Sequence, residues 1–344
     1  MLMNISIVLP LFNEERNIEI TLFELESYMT RYAGSTGWEI IAVNDGSDDG
    51  TLNVLHGIAQ NRSWLRVIDL VSHYGRGRAL RAGIDAASGE VIVSLEADLS
   101  YAPHHIERLI QKLVREDADI VIASAYREGG TVSNVPWKRL LISSIGNKIL
   151  SYMFGGMVTV LTCMVRAYRS DFIKGLDLYS GDKEIHLEIL SKAKILGAKI
   201  TEIPADLCWR IGKVARRADK KQYSRRSTLQ FKKVSSSHLF FALLSRPGII
   251  FWVPGFLLVL LSFFILSVTV ATILSDPICT DSLYHAVRNS MINASISWLT
   301  MALSFLLGIQ FFTLGFLTNQ NKNNREETYR TLNSIYREIK KKRD

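Results

Sequence analysis

The sequence predicts an α/β domain with a mainly parallel, doubly wound sheet, followed by a hairpin of two transmembrane helices. Three observations carry that prediction. Short apolar runs alternate with segments of helical period through the first hundred residues, and each run ends in a polar loop. One run, residues 91–95, leads directly into two carboxylates, Glu96 and Asp98, and a turn closed by Pro103. Residues 248–274 carry no charge and residues 294–318 form a second apolar block, where about 20 such residues span a bilayer.

Composition narrows the class. The chain has 344 residues, a formal charge of +8 and 22% charged residues, which would suit a soluble basic protein. A mean hydropathy of +0.12 would not. The apolar residues concentrated in 248–318 reconcile the two. The first ten residues lack a basic segment and a small-residue cleavage site, so they read as a strand and not a signal peptide. Cys163, Cys208 and Cys279 are odd in number and far apart. That spacing gives neither a disulfide framework nor a zinc site, and fits a reducing setting for the large domain. No nucleic-acid partner is expected, because the strands lack a basic-aromatic pattern.

Residues 4–9 form the first strand, ending in Pro10-Leu11-Phe12-Asn13-Glu14-Glu15, and Ile18, Leu22 and Leu25 then mark a helix. The second strand, 38–43, runs into the acidic turn Asn44-Asp45-Gly46-Ser47-Asp48-Asp49-Gly50-Thr51, where Ser47 or Asp48 caps a helix carrying Leu52 and Leu55. A third strand at 65–70 precedes a glycine-arginine loop, Gly75-Arg76-Gly77-Arg78, and a helix through 80–87 leads to the fourth strand at 91–95. In an open parallel sheet the ligand crevice lies at the carboxyl ends of the strands. Alternation along an extended chain would put Glu96 and Asp98 on one side, as hard oxygen ligands for Mg²⁺ or Mn²⁺. Arg76 and Arg78 would supply fixed positive charge for a diphosphate.

The segments PLFNEE, VNDGSDDGT, HYGRGRALRAG and EADLSYAP resemble the family 2 glycosyltransferases of the GT-A (Rossmann-like) fold. Within them the nearest group is the polyprenyl-phosphate sugar synthases, dolichol-phosphate mannose synthases and undecaprenyl-phosphate glucosyltransferases among them. The likeness covers roughly residues 4–246. It implies that Pro10, Phe12 and Glu14 line the base and ribose, that Asp45 contacts the nucleoside, and that Glu96, Ala97, Asp98 and Ser100 surround metal and diphosphate. Asp98 and Arg210 are the catalytic candidates, and Lys220 or Lys221 binds phosphate. The chain departs from the family pattern at four places, one of them Ser100, which stands where many members carry Gln. The first acid is Glu96 where Asp is usual, Ala125 replaces an Arg for which Arg127 would substitute, and Val160 replaces an Asp. Loss of that Asp matters for an alcohol acceptor but less for a phosphate. A phosphate monoester has a second pKa near ~6 and arrives ionised.

Ten basic residues from Arg210 to Lys233 precede the first apolar block, and each is worth about 1 kcal/mol near anionic lipid. Residues 237–246 read as an interfacial amphipathic helix, too short to span. The loop 275–293 is poor in Lys and Arg whereas Arg246 and Lys322–Arg325 are basic, so both ends are placed in the cytoplasm. The charged tail, 321–344, carries Tyr329, Leu332, Tyr336 and Ile339 at heptad spacing and would pair with another copy or rest on the membrane.

The expected protein is therefore a cytoplasm-facing GT-A domain, residues 1–236, tethered by a membrane hairpin within 247–320. It would move a hexose from a nucleotide sugar to a polyprenyl or dolichyl phosphate with inversion. GDP-mannose is the expected donor and UDP-glucose the alternative, at the cell membrane or, in a eukaryote, the endoplasmic reticulum membrane. Two further readings compete with it. A processive polysaccharide synthase would carry Gln-x-x-Arg-Trp, and the nearest match, Gln222-Tyr223-Ser224-Arg225-Arg226, lacks the Trp. A non-catalytic membrane scaffold would account for Glu96, Ala125 and Val160, but not for the retained Asp98 and intact first loops.

Overall fold

The computed structural model describes residues 4–34, 37–209, 247–275 and 283–343. The chain divides into two compact units, Met1–Ala242 with Arg330–Asp344, and Leu243–Tyr329.

The first half of the first unit follows the expected alternation: β1 (Ile5–Leu11), α1 (Ile18–Ala33), β2 (Trp38–Asp45), α2 (Thr51–Ala59), β3 (Leu65–Leu70), α3 (Arg76–Ala86) and β4 (Val91–Ser94). β1 pairs in parallel with both β2 and β4, and β2 with β3. Ile7, Val8 and Leu9 on β1 are wholly buried, as are Ile40, Ile41, Ala42 and Val43 on β2. Both faces of the sheet are covered, which is what near-continuous apolar strands require. The second half adds α4 (His104–Arg115), β5 (Ile120–Ser124), β6 (Thr131–Ser133), α5 (Trp137–Met153), β7 (Arg166–Arg169), α6 (Ser170–Lys174), α7 (Ile185–Ile195), β8 (Ile200–Pro204) and β9 (Asp206–Cys208). The main sheet runs β3-β2-β1-β4-β7-β5-β8, with β7 antiparallel to both neighbours, while β6 and β9 pair separately.

Two local expectations are corrected here. Residues 75–78 are not a loop: Gly75, at φ 101°, closes the preceding turn and Arg76 opens α3. β4 stops at Ser94, so Glu96 and Asp98 do not alternate along a strand. They stand in a tight turn in which the Leu99 N–H donates to the Glu96 carbonyl at 3.1 Å, with Leu99 itself at φ 46°.

The second unit contains α8 (Pro247–Ser275), α9 (Leu283–Asn293) and the start of α10 (Ser295–Arg343). Within α8 and α10, Ile250–Ser275 and Ser295–Ile335 are long and apolar enough to cross a membrane, and only 17% of each most apolar stretch is covered by protein. That exposure does not suit the core helices of a soluble domain. The helices meet at small residues. A Cβ on Gly308 would lie 2.6 Å from the Val259 side chain and 3.0 Å from the Gly255 carbonyl, and Ser262 Oγ donates to the Met301 carbonyl at 3.0 Å. The expected polar loop 275–293 contains α9. The expected separate tail helix is continuous with the second apolar block, because residues 319–343 hold no Gly or Pro to stop it. The basic run 210–233 and the expected interfacial helix 237–246 lie outside the described residues.

Candidate active site

A cleft of about 270 Å³ opens at the carboxyl ends of β1, β2 and β4. From the end of β1 and the turn after it come Pro10, Phe12 and Glu14. The Phe12 ring stacks on His73 with centroids 3.9 Å apart, which builds an aromatic wall. The Glu14 N–H donates to Thr51 Oγ1 at 2.9 Å, and its carboxylate accepts from Asn17 Nδ2 at 2.8 Å. Asp45, at the end of β2, is buried. Its carboxylate accepts from the N–H groups of Tyr74 (2.9 Å) and Gly75 (3.0 Å) and lies 2.8 Å from His73 Nδ1. Asp45 therefore fixes the segment that carries Arg76 as well as lining the cleft.

Across the cleft stand Glu96, Ala97 and Asp98. The Ala97 carbonyl accepts from Thr21 Oγ1 at 2.7 Å, which ties the acidic turn to α1. Asp98 Oδ1 accepts from the N–H (2.8 Å) and Oγ (2.6 Å) of Ser100, which orients the carboxylate. Arg76 Nη1 lies 3.3 Å from Glu96 Oε1. Asp182 and Lys183 enter from the loop before α7. That loop is held by the buried Glu188, which accepts from the N–H groups of Tyr179 (2.9 Å) and Ser180 (2.8 Å) and pairs with Lys192 at 2.6 Å. Burial pushes the Glu188 carboxyl upward, but these partners outweigh it and hold it below the usual carboxylate range.

A second cleft, of about 470 Å³, shares Glu96 and Met164 with the first. Ser100, Tyr101 and Val160 line it, together with Arg139, Ser143 and Asn147 from α5 and Trp209. The Arg139 guanidinium sits 4.9 Å from the Trp209 ring centroid. α5 turns Trp137, Leu141, Ile142, Ile145 and Ile149 to the exterior, each about half exposed or more. Val160 is buried at 4%, and its N–H donates to Glu202 at 3.1 Å. It can act neither as base nor as ligand. Burial, and then the nearby Glu96 charge, push the Cys163 thiol up to about 12, so it stays neutral. Arg166, fully buried, donates to the carbonyls of Cys163 (2.7 Å), Leu161 (2.5 Å) and His186 (3.2 Å), fixing the loop between the clefts.

The fold thus brings Pro10, Phe12, Glu14, Asp45, Arg76, Glu96, Ala97 and Asp98 to one cleft and Ser100 to its neighbour. Arg78 and Arg127 stand elsewhere. Arg78 lies over the Tyr74 ring at 4.6 Å, because the second arginine of the first turn of α3 points to another side of the helix. Arg127 lies 3.9 Å from Glu202, outside both clefts. Arg210, Lys220 and Lys221 fall outside the described residues. His73, Lys183 and Arg139 are cleft residues that sequence reasoning missed. For Arg139 a signal existed, since Arg139, Ser143 and Asn147 recur every fourth residue on an otherwise apolar segment.

His104, His105 and Asp206 offer ligand atoms within 4.8 Å of one another. His105, however, has Nδ1 on the Ala102 carbonyl (2.9 Å), and Nε2 accepts the Asp206 N–H (3.0 Å). Burial pushes its pKa down to about 4. With both nitrogens committed, His105 is a neutral lock between α4 and β9.

Residues 6–176 match the family described as Glycosyl transferase family 2. This domain belongs to that family. The glycosyl transferase domain has the mainly parallel GT-A-like architecture that the sequence resemblance implies. The chain is 29% identical over 205 residues to polyprenol monophosphomannose synthase of Mycolicibacterium smegmatis, covering 58% of this chain and 75% of that protein. It is 28% identical over 179 residues to dodecaprenyl-phosphate galacturonate synthase of Rhizobium johnstonii, covering 51% of each. It is 30% identical over 205 residues to dolichol-phosphate mannosyltransferase of Pyrococcus furiosus, covering 59% of this chain and 56% of that one. The chain thus spans three quarters of the first relative and about half of the other two. Among solved structures it is similar to glucosyl-3-phosphoglycerate synthase of Mycobacterium tuberculosis in complex with Mg²⁺ and uridine diphosphate, at 22% identity and a TM-score of 0.46 over 60% of this chain and 70% of that one.

Proposed function

We propose that the protein transfers a hexose from a nucleotide sugar to a polyprenyl or dolichyl phosphate, by a single displacement with inversion, at the cytoplasmic face of a membrane. One observation carries the reading: the two clefts meet at Glu96 and Met164. The first, with its carboxylate pair and its Phe12–His73 wall, suits a nucleoside diphosphate. The second presents Arg139 and Ser143 on a helix whose outer side is apolar, which suits a phosphate on a lipid chain. The names of the relatives favour the same acceptor class. Mannose from GDP-mannose is the proposed donor, with UDP-hexoses as competitors.

Glu96 and Asp98 fit a hard divalent ion, since both are carboxylates in one cleft wall and Ser100 orients Asp98. Bound there, Mg²⁺ or Mn²⁺ would neutralise charge on the leaving diphosphate. The rest falls to the chain itself. Arg76 and Lys183 offer further positive charge to the diphosphate, and Arg139 holds the acceptor phosphate. An ionised phosphate oxygen attacks the anomeric carbon, the bond from that carbon to the diphosphate oxygen breaks, and its electron pair leaves with the diphosphate. The acceptor arrives deprotonated, so Val160 costs the reaction no base. Arg210 and Lys220 or Lys221 are proposed to add to the phosphate contacts.

Membranes carrying the protein, given a panel of radiolabelled nucleotide sugars, should yield labelled lipid with one sugar. Asp98→Asn should abolish labelling while the protein stays folded and membrane-bound, and Glu96→Asp should retain it. Arg139→Gln should raise the KM for a short-chain polyprenyl phosphate about tenfold or more and leave the donor KM in place. Full activity of Asp98→Asn in chelator would sink the metal assignment, and equal use of free polyprenol would sink the lipid-phosphate reading.

A further inference from the structure

Residues 177–182, just before α7, have their backbone tied down from two sides. Lys192 donates to the Asp177 carbonyl, and Arg81 Nη1 to the Leu178 carbonyl at 2.5 Å. Glu188 accepts the N–H groups of Tyr179 and Ser180 at 2.9 and 2.8 Å. The Gly181 carbonyl accepts the Arg78 N–H at 3.0 Å, and the Asp182 carbonyl accepts the Ile185 N–H at 3.1 Å. A connection that only joins two elements needs no such hold, and ordering it costs conformational entropy at every residue. What the hold delivers is its far end: Asp182 and Lys183, both exposed, line the nucleotide cleft.

Lys183 has a use above, as positive charge for the diphosphate. Asp182 has none. Its carboxylate makes no hydrogen bond and no ion pair among the described residues. Its Cβ lies 3.3 Å from the place a Cβ on Gly75 would take, and the Gly75 N–H is bound to Asp45, so Asp182 stands beside the Asp45 wall of the cleft. It does not complete a set of three with Glu96 and Asp98: among the described residues, the group whose ligand atoms lie within 4.8 Å of one another is His104, His105 and Asp206. An ionised carboxylate accepts hydrogen bonds and donates none. Of the parts of a nucleotide sugar, the diphosphate offers it only acceptors and like charge. The base belongs to the Phe12–His73 wall, which leaves the hydroxyls of the ribose and of the hexose.

We propose that Asp182 is a specificity-determining residue for the donor, its carboxylate accepting sugar hydroxyls of the bound nucleotide sugar, with residues 177–181 as the rigid mount that aims it. The proposal rests on the donor-site reading above. Two neighbouring hydroxyls match the two carboxylate oxygens, and both the ribose and the hexose carry such a pair. A site built to hydrogen-bond a hydroxyl rejects the analogue that lacks it, because the protein's polar group is then left without its partner. Asp182 therefore reads hydroxyls, while Lys183 beside it reads charge.

The test uses the full-length protein with Mg²⁺. The probes are GDP-mannose or UDP-glucose, whichever binds more tightly, with its monodeoxy-hexose and its 2′- and 3′-deoxyribose analogues. Donor Kd is read by calorimetry without acceptor, and kcat/KM with a short-chain polyprenyl phosphate. The parent protein should lose about tenfold or more on at least one analogue. Asp182→Ala should lose about as much on the full donor and should use that analogue and the full donor within about threefold of each other, since one hydrogen bond is removed from either side. Asp182→Asn keeps an acceptor oxygen and should fall between the two. A hexose analogue marked in this way identifies the transferred sugar as the source of the hydroxyl, and a ribose analogue the nucleoside. Equal losses on every donor in Asp182→Ala, or no loss, would overturn the assignment. Discrimination in Kd with no labelled lipid overturns the lipid-phosphate acceptor and leaves Asp182 in place, labelled lipid without discrimination overturns Asp182 alone, and binding of neither donor overturns the donor site itself.

Discussion

His105 takes no part in the proposed chemistry, yet it sets a measurable pH dependence. Its pKa lies at about 4 in the folded protein, against an ordinary value near ~6.5. His104 and Arg108 help to lower it, and Asp206 opposes them. The unfolded chain therefore takes up the proton first as pH falls. The stability contributed by the neutral lock is complete above about pH 6.5 and declines between there and about 4. Urea-unfolding midpoints should fall over that window, and His105→Asn should flatten that part of the curve at a cost of about 1–2 kcal/mol at neutral pH. Val160 is the second residue with a decided outcome. An Asp placed there would be buried beside Glu202, which already accepts the N–H groups of Thr159 and Val160. Like charges in a buried site repel, so Val160→Asp should lower both the thermal midpoint and the transfer rate. A hundredfold gain in rate would instead show that a base was missing and that the acceptor is an alcohol.

Among the elements, the junction between α3 and the loop before α7 decides the geometry of the nucleotide cleft. The Arg78 N–H donates to the Gly181 carbonyl at 3.0 Å. A Cβ on Gly77 would lie 2.6 Å from the Asp182 carbonyl oxygen and 2.7 Å from that of Ser180. Only glycine admits this approach, and it is the approach that carries Lys183 to the cleft. Gly77→Ala should cost about 1–3 kcal/mol by overpacking and should raise the donor KM while leaving the acceptor KM close to its starting value. Calorimetry and two-substrate kinetics would read the two effects. The same junction shows what the sequence could and could not reveal. Glu96, Asp98, Phe12 and Asp45 are legible because each stands at the carboxyl end of β1, β2 or β4, and a parallel sheet gathers strand ends without further instruction. Lys183 reaches the cleft only through packing between distant segments, and nothing local marks it, whereas His73 follows β3 and opens the segment HYGRGRALRAG. Arg78 departs from its expected place because residues 76–78 are helical, and consecutive side chains on a helix fan out around its axis. The four-residue β7 was too short to show a period.

At the scale of the whole chain, the three cysteines report the topology. Cys208 belongs to the glycosyl transferase unit and is exposed, while Cys163 is buried. Cys279 lies between α8 and α9 in sequence. A hairpin of two spans puts its connection on the side opposite its ends. The segment 275–293 has Arg288 as its only Lys or Arg, whereas Lys322, Arg325 and Arg330 follow the second span. Positive charge stays in the cytoplasm, so the connection should face outward and the nucleotide cleft inward, where activated sugars are made. Intact cells treated with a membrane-impermeant maleimide should accordingly show Cys279 modified and Cys208 untouched. Permeabilisation should add Cys208, and only denaturation should add Cys163. Modification of Cys208 from outside would reverse the topology, and with it the requirement that the phosphate of the acceptor be met at the inner leaflet.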